Sequence, residues 1–111
     1  MPRRGVSLQA ACTLGTALPD VEEVVSYGGR GLKVKGRLFA CQAVHKSAEP
    51  NSLMVRISLT SREALLAERP DTYYLTEHYA PYQAILVRLS RIDRPALRKI
   101  LTESWEFVIG G

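Results

Sequence analysis

The sequence predicts an α+β fold: one domain spanning residues 1–111, in the order helix, three strands, helix, two strands, helix, with an antiparallel sheet covered by helices. Three observations carry this. Three stretches have apolar residues at helical spacing behind plausible N-caps. Five others are short, alternating or β-branched, and are bounded by Gly, Pro or Asn. No repeat, low-complexity segment or long linker divides the chain, and about two-thirds of the surface of a chain this size can be buried around one core.

The first helix follows Ser7, a competent N-cap, with Leu8, Ala11, Cys12, Gly15 and Leu18 on one side, and Pro19-Asp20 breaks it. Gly28-Gly29-Arg30-Gly31 then reads as a flexible turn. Leu32 and Val34 alternate with Lys33 and Lys35 as in a half-buried strand. A two-residue turn at Lys35-Gly36 would set Val34 opposite Arg37 and Leu32 opposite Phe39, with Leu32, Val34, Phe39, Cys41 and Ala43 on one hairpin face. The polar stretch Ser47–Ser52, which contains Pro50, is a connection. In the third strand Leu53, Val55, Ile57 and Leu59 face one way, and Thr60-Ser61-Arg62-Glu63 has the residues of a capping box opening a second helix. Pro70-Asp71 ends that helix. Thr72–Thr76 and Ala84–Leu89 are strands around a loop holding His78, Tyr79, Pro81 and Tyr82. Asp93 caps the last helix, Pro95 sits in its first turn, and Leu97, Ile100, Leu101, Trp105 and Val108 form its buried stripe up to Gly110-Gly111.

Composition is that of an ordinary globular protein, 46% hydrophobic and 23% charged. No apolar run approaches the ~18 residues of a membrane span, and the start lacks a signal-peptide core, so the expected compartment is the cytoplasm, with no membrane partner. Cys12 and Cys41 read as free, packed thiols, and neither has metal-ligand spacing; no cofactor or metal is expected. Residues 1–6 are either an arm that adds Arg3 and Arg4 to binding or an unstructured start with no role.

Charge is distributed unevenly. Between Gly28 and Lys46 lie Arg30, Lys33, Lys35, Arg37 and Lys46 with no Asp or Glu, a local +5 in a chain whose total is +4. A concentrated cationic field steers anionic partners. The hairpin from Gly31 to Ala43 is therefore expected to lay Lys33, Lys35 and Arg37 against a DNA or RNA backbone, with Arg30 adjoining and Arg88 or Arg91 extending the patch. Such contacts give affinity without much sequence reading, and four neutralised phosphates would give a log–log salt slope of roughly −3 to −4. The competing explanation is that Lys on an exposed hairpin edge only prevents pairing with other chains. Gly28-Gly29-Arg30-Gly31 enters a strand rather than a helix, so it reads as a plain turn and not as a phosphate cradle.

Tyr73, Tyr74, Tyr79, Tyr82 and His78 form the second concentration of chemistry. They suit stacking or a ligand pocket, with His78, Tyr79 and Tyr82 as its members, or they complete the core while their hydroxyls bond to loops. His45 and His78 are the only imidazoles, and with Ser26, Cys12 and Cys41 they form no recognisable activated arrangement, so no enzyme is expected. Adjacent Glu22 and Glu23 would diverge on a helix and would not act as an acid/base pair.

Three runs, in order, carry a resemblance. Ala17-Leu18-Pro19-Asp20-Val21-Glu22-Glu23 is similar to the early Leu-Pro-Gly-Val-Glu-Glu run of the MmcQ/YjbR-like family. Lys33-Val34-Lys35-Gly36-Arg37-Leu38-Phe39 resembles its Lys-Val-x-Gly-Lys-Leu-Phe hairpin, and His78-Tyr79-Ala80-Pro81-Tyr82 its His-Tyr-x-x-Tyr segment. Leu32 stands where that family often has an aromatic, and Gln83-Ala84 where it often has Pro-Trp, which removes a stacking platform at position 84. The resemblance implies a secretion-chaperone-like α-β(3)-α-β(2)-α arrangement and a DNA-binding role through a "double wing". The fold it implies also serves chaperones and homodimers, so the rival expectation is a dimeric protein-interaction module whose basic hairpin meets an acidic protein surface.

Overall fold

The structure, a computed structural model, describes residues 5–26 and 28–110. Arg3, Arg4, Tyr27, Gly111 and the side chain of Ser26 lie outside the described residues. Helix α1 (Leu8–Thr16) begins where Ser7 Oγ accepts the Ala10 N–H at 3.0 Å. Strands β1 (Val21–Ser26), β2 (Gly29–Val34), β3 (Arg37–Gln42) and β4 (Ser52–Arg56) follow, then α2 (Leu59–Glu68), β5 (Tyr73–Tyr74), β6 (Ala84–Arg88), a short 3-10 turn at Leu89–Arg91 and α3 (Arg94–Gly110). The strands form one antiparallel sheet in the order β1-β2-β3-β4-β6-β5.

The α+β domain is the one expected, with one strand more. Val21-Glu22-Glu23-Val24-Val25 alternates with neither period, yet it pairs with β2 from Val21↔Val34 to Ser26↔Gly29. Gly29-Arg30-Gly31, expected as a flexible turn, is the first half of β2, and the reversal falls at Gly28, where φ is +81°. Both flanks of the β2–β3 hairpin are thereby occupied, by β1 and by β4. The hairpin lies inside the sheet. It is not an edge, and β1 takes that position.

The Lys35-Gly36 turn is as expected: φ values of 50° and 78° are those of a type I′ turn, and Val34 faces Arg37. Beyond it the pairing runs Lys33↔Leu38 and then Leu32↔Ala40, so Phe39 is the extra residue of a β-bulge and Leu32 does not face it. The bulge lets consecutive residues enter the core, since Phe39 and Ala40 are both 0% exposed. Ser104 of α3, also buried, donates its hydroxyl to the Phe39 carbonyl at 2.8 Å, so the carbonyl at the interrupted ladder is matched.

Other boundaries move by a residue or two. Ser58 Oγ accepts the Ser61 N–H at 3.2 Å, so α2 starts at Leu59, which is 47% exposed instead of facing inward from a strand. Asp93 Oδ1 accepts the Ala96 N–H at 2.9 Å, as the sequence suggests. The α3 stripe buries Ser104 where Trp105 was expected; the half-buried indole instead donates to the Pro19 carbonyl at 2.9 Å.

Helices α1 and α3 cover one sheet face, and the core between holds Leu32, Val34, Phe39, Val55, Ile85 and Leu101 among others. Cys12 packs on this side and Cys41 on the other; both are free and buried, with the sheet between them. The opposite face carries a groove instead of a helix. Among the described residues no helix is long and apolar enough to cross a membrane.

Candidate functional site

The cations of residues 30–46 do not converge. Arg30 Nε donates to Glu23 Oε2 at 2.7 Å across β1 and β2, and this bond holds the Glu23 carboxyl below its ordinary range. Arg88 is more fully committed. Its Nε and Nη2 grip both oxygens of Glu49 at 2.9 and 2.7 Å, and Nη1 donates to the Pro70 and Asp71 carbonyls at 3.1 and 3.2 Å. Its guanidinium also lies 4.3 Å from the centre of the Tyr74 ring, and its hydrogen bonds push the Glu49 carboxyl down. Both carboxylates come from segments outside the basic run, which is why the run by itself overstated the free charge. Arg91 is exposed in the 3-10 turn.

Three cations flank the turn of the β2–β3 hairpin, with Lys33 on the groove face opposite Leu38 and Arg37 on the helix face opposite Val34. Lys33, half-buried, pairs in register with Leu38 and with Glu22, but no ion pair joins it to Glu22. Lys35 is exposed in the turn itself. Arg37 extends toward the helix side, where its Nη1 donates to the Val108 carbonyl at 3.3 Å, matching a last-turn carbonyl of α3 and the negative end of its dipole. Among the described residues none of the three has a carboxylate partner. Arg30 lies three residues before Lys33 in β2, about 10 Å along the strand, and Lys46 is exposed beyond the far end of β3.

The groove on the open face encloses about 550 Å³. Three neighbouring strands supply its floor, with Leu38 and Cys41 from β3, Met54 and Arg56 from β4, and Ala84 from β6. Val44 and His45, just after β3, form one wall; His78, Tyr79 and Tyr82, just before β6, form the other. The walls meet at the histidines. Their rings stack in parallel, 3.5 Å between centroids and 6° between planes, with Tyr79 edge-on to His45 at 6.2 Å and to His78 at 4.8 Å. Tyr82 is 6.4 Å from His78 and 56% exposed. Sequence reasoning joined His78, Tyr79 and Tyr82 but left out His45 and Arg56, since no periodicity links those residues to the loop. Tyr73, by contrast, is buried in the core, and Tyr74 accepts the Glu49 N–H at 2.7 Å and bonds to Ser52 Oγ at 2.5 Å.

Two further contacts fix the walls. Arg62 of α2 directs one nitrogen, Nη1, at the carbonyls of Ala80, Tyr82 and Ala84, at 3.2, 2.8 and 3.3 Å. His45 Nδ1 accepts the Ser47 N–H at 3.1 Å and lies 2.8 Å from Ser47 Oγ, which in turn meets Thr76 Oγ1 at 3.0 Å. Nδ1 is therefore the unprotonated nitrogen of a neutral ring. Partial burial, the neighbouring His78 and Lys46 all hold the His45 pKa below its ordinary value. Burial pushes the Cys41 thiol up to about 11, so at neutral pH it is an inert part of the floor. Among the described residues no group of three or more His, Cys, Asp or Glu side chains could hold a metal ion.

Comparison with known proteins agrees with this architecture. Uncharacterized proteins of Mycobacterium tuberculosis and Mycobacterium bovis are 43% identical to the chain over 42 residues, 38% of this chain and 33% of theirs, so the match spans about a third of those relatives. The crystal structure of the Deinococcus radiodurans protein DR2400, with a DUF419 domain, superposes with a TM-score of 0.74 at 18% identity, covering 92% of this chain and 78% of that one. That likeness concerns the fold alone. The YjbR family profile matches residues 16–107, from the end of α1 almost to the end of α3, and the chain belongs to the YjbR family.

Proposed function

We propose that the protein is a non-enzymatic binding module that contacts the phosphates of DNA or RNA, weakly and without sequence preference, at the turn end of the β2–β3 hairpin. The observation that carries this reading is the grouping of Lys33, Lys35 and Arg37 around one open turn with no carboxylate partner among the described residues, while Arg30 and Arg88 are neutralised. Because β1 and β4 flank the hairpin, only its turn is offered, and three phosphates is the realistic count. On duplex DNA the log–log salt slope is then about −2.7, a loss of roughly 40-fold between 50 and 200 mM salt. Two free thiols suit the reducing cytoplasm as its setting.

Anisotropy titrations of labelled duplex, single strand and RNA at two salt concentrations test it. The triple variant Lys33→Glu, Lys35→Glu, Arg37→Glu should abolish the salt-sensitive component. Wild-type binding in that variant would remove the turn from the account.

A second reading rests on β1, an edge strand whose Val25 is 84% exposed. Such an edge suits pairing with a second copy or a protein strand. It predicts no nucleic-acid binding, together with a dimer or complex that Val25→Lys dissociates in sedimentation.

A further inference from the structure

We infer that the groove on the helix-free face binds a small planar aromatic anion, of which an aromatic carboxylate is the simplest case. This site is separate from the turn end and does not depend on its function. A volume of about 550 Å³ lies within the range of small-molecule sites, about 300–1,000 Å³, and the mix is typical of them: an apolar floor with a few placed polar groups.

The ring content specifies a flat ligand. His45, His78 and Tyr79 are locked against each other by one parallel and two edge-on contacts, so they present a rigid aromatic wall. His78 is exposed, and Tyr82, beside it, is exposed and tilted. A planar ring entering here gains offset or edge-on contacts that an aliphatic chain of equal area does not. The wall is also prepared in advance, since Arg62 ties three carbonyls of residues 80–84 to α2, and little ordering is left for binding to supply.

Charge specifies the sign. Among the described residues, Arg56 is the one permanently charged side chain lining the groove, it makes no side-chain hydrogen bond or ion pair, and no carboxylate lines the cavity. Its planar fork matches a carboxylate in two parallel hydrogen bonds. Lys46, next to His45, adds a more distant positive charge. A cationic ligand would meet only like charge.

The test is an NMR titration of the isotope-labelled full chain with three probes: naphthoate, its neutral counterpart naphthylmethanol, and octanoate. The expected result is saturable shifts from naphthoate centred on Met54, Arg56, Ala84 and residues 78–82, with octanoate at least tenfold weaker. Arg56→Gln, an exposed substitution that spares the fold, should weaken naphthoate roughly tenfold and leave naphthylmethanol unchanged. Shifts that never saturate, or that fall on the helix side or the hairpin turn, would overturn the proposal. So would equal affinity for the anion and the alcohol in the wild-type chain, or an Arg56→Gln variant that holds naphthoate as tightly as before.

Discussion

At the β2–β3 turn, Lys35 and Gly36 stand clear of the rest of the chain, and a Cβ added at Gly36 would touch nothing within 4 Å. In the groove, side chains from β3, β4 and β6 and from the segments after β3 and before β6 converge on one space. The first surface is a property of five consecutive residues and works through charge at a distance. The second exists only once the sheet has assembled, and works through contact. A local run of charge thus survives into the fold only where no carboxylate closes on it: three residues before Lys33, Arg30 meets Glu23 and its charge is offset.

The sharpest way to break this contrast is Arg62→Ala. Three carbonyls around the groove each lose one donor, which should lower stability by about 1–3 kcal/mol in chemical denaturation and weaken naphthoate by tenfold or more. The salt slope for nucleic acid should not move. Undiminished naphthoate binding would show that the wall stands without Arg62.

Acidification comes next. The folded His45 pKa lies below its ordinary 6.5, so between those two values the unfolded chain holds more protons than the folded one. Stability should therefore fall as pH drops from 6.5 toward the folded value and level off below it. Protonating Nδ1 also expels the Ser47 N–H, so shifts should appear at residues 45–47 and 76–82 and be absent at the turn. A proton NMR titration of the two imidazoles that places His45 at or above its ordinary value would contradict the stack.

The smallest effect separates function from stability within the turn. Lys35→Asn puts the preferred Asn-Gly pair into the type I′ geometry and should raise stability by a few tenths of a kcal/mol. It should also cut the duplex salt slope from about −2.7 to about −1.8. Denaturation and anisotropy on the same sample check both.

Much of the frame was legible because its signals are local. Ser7 and Asp93 as caps, the stripe of α3 and the Lys35-Gly36 turn each follow from a few neighbouring residues. β1 was not legible, because Glu23 shares a side with Val21 and Val25 and only its bond to Arg30 makes that placement cheap. The same partner, invisible from within the basic run, removed Arg30 from the expected patch, and Glu49 did so for Arg88. In the aromatic loop, the sequence identified the ring-bearing residues but not the ring that organises them: His45 reaches His78 only through the folded sheet.

The extra residue at Phe39 sets the phase of everything after it in β3. Because Leu38 and Cys41 look at the groove while Phe39 and Ala40 look at the helices, a strand shortened by the Phe39 position would pair one-to-one, keep Cys41 in the groove and take the largest fully buried side chain out of the core. The groove side would keep its residues; the helix side would have to close over the missing ring.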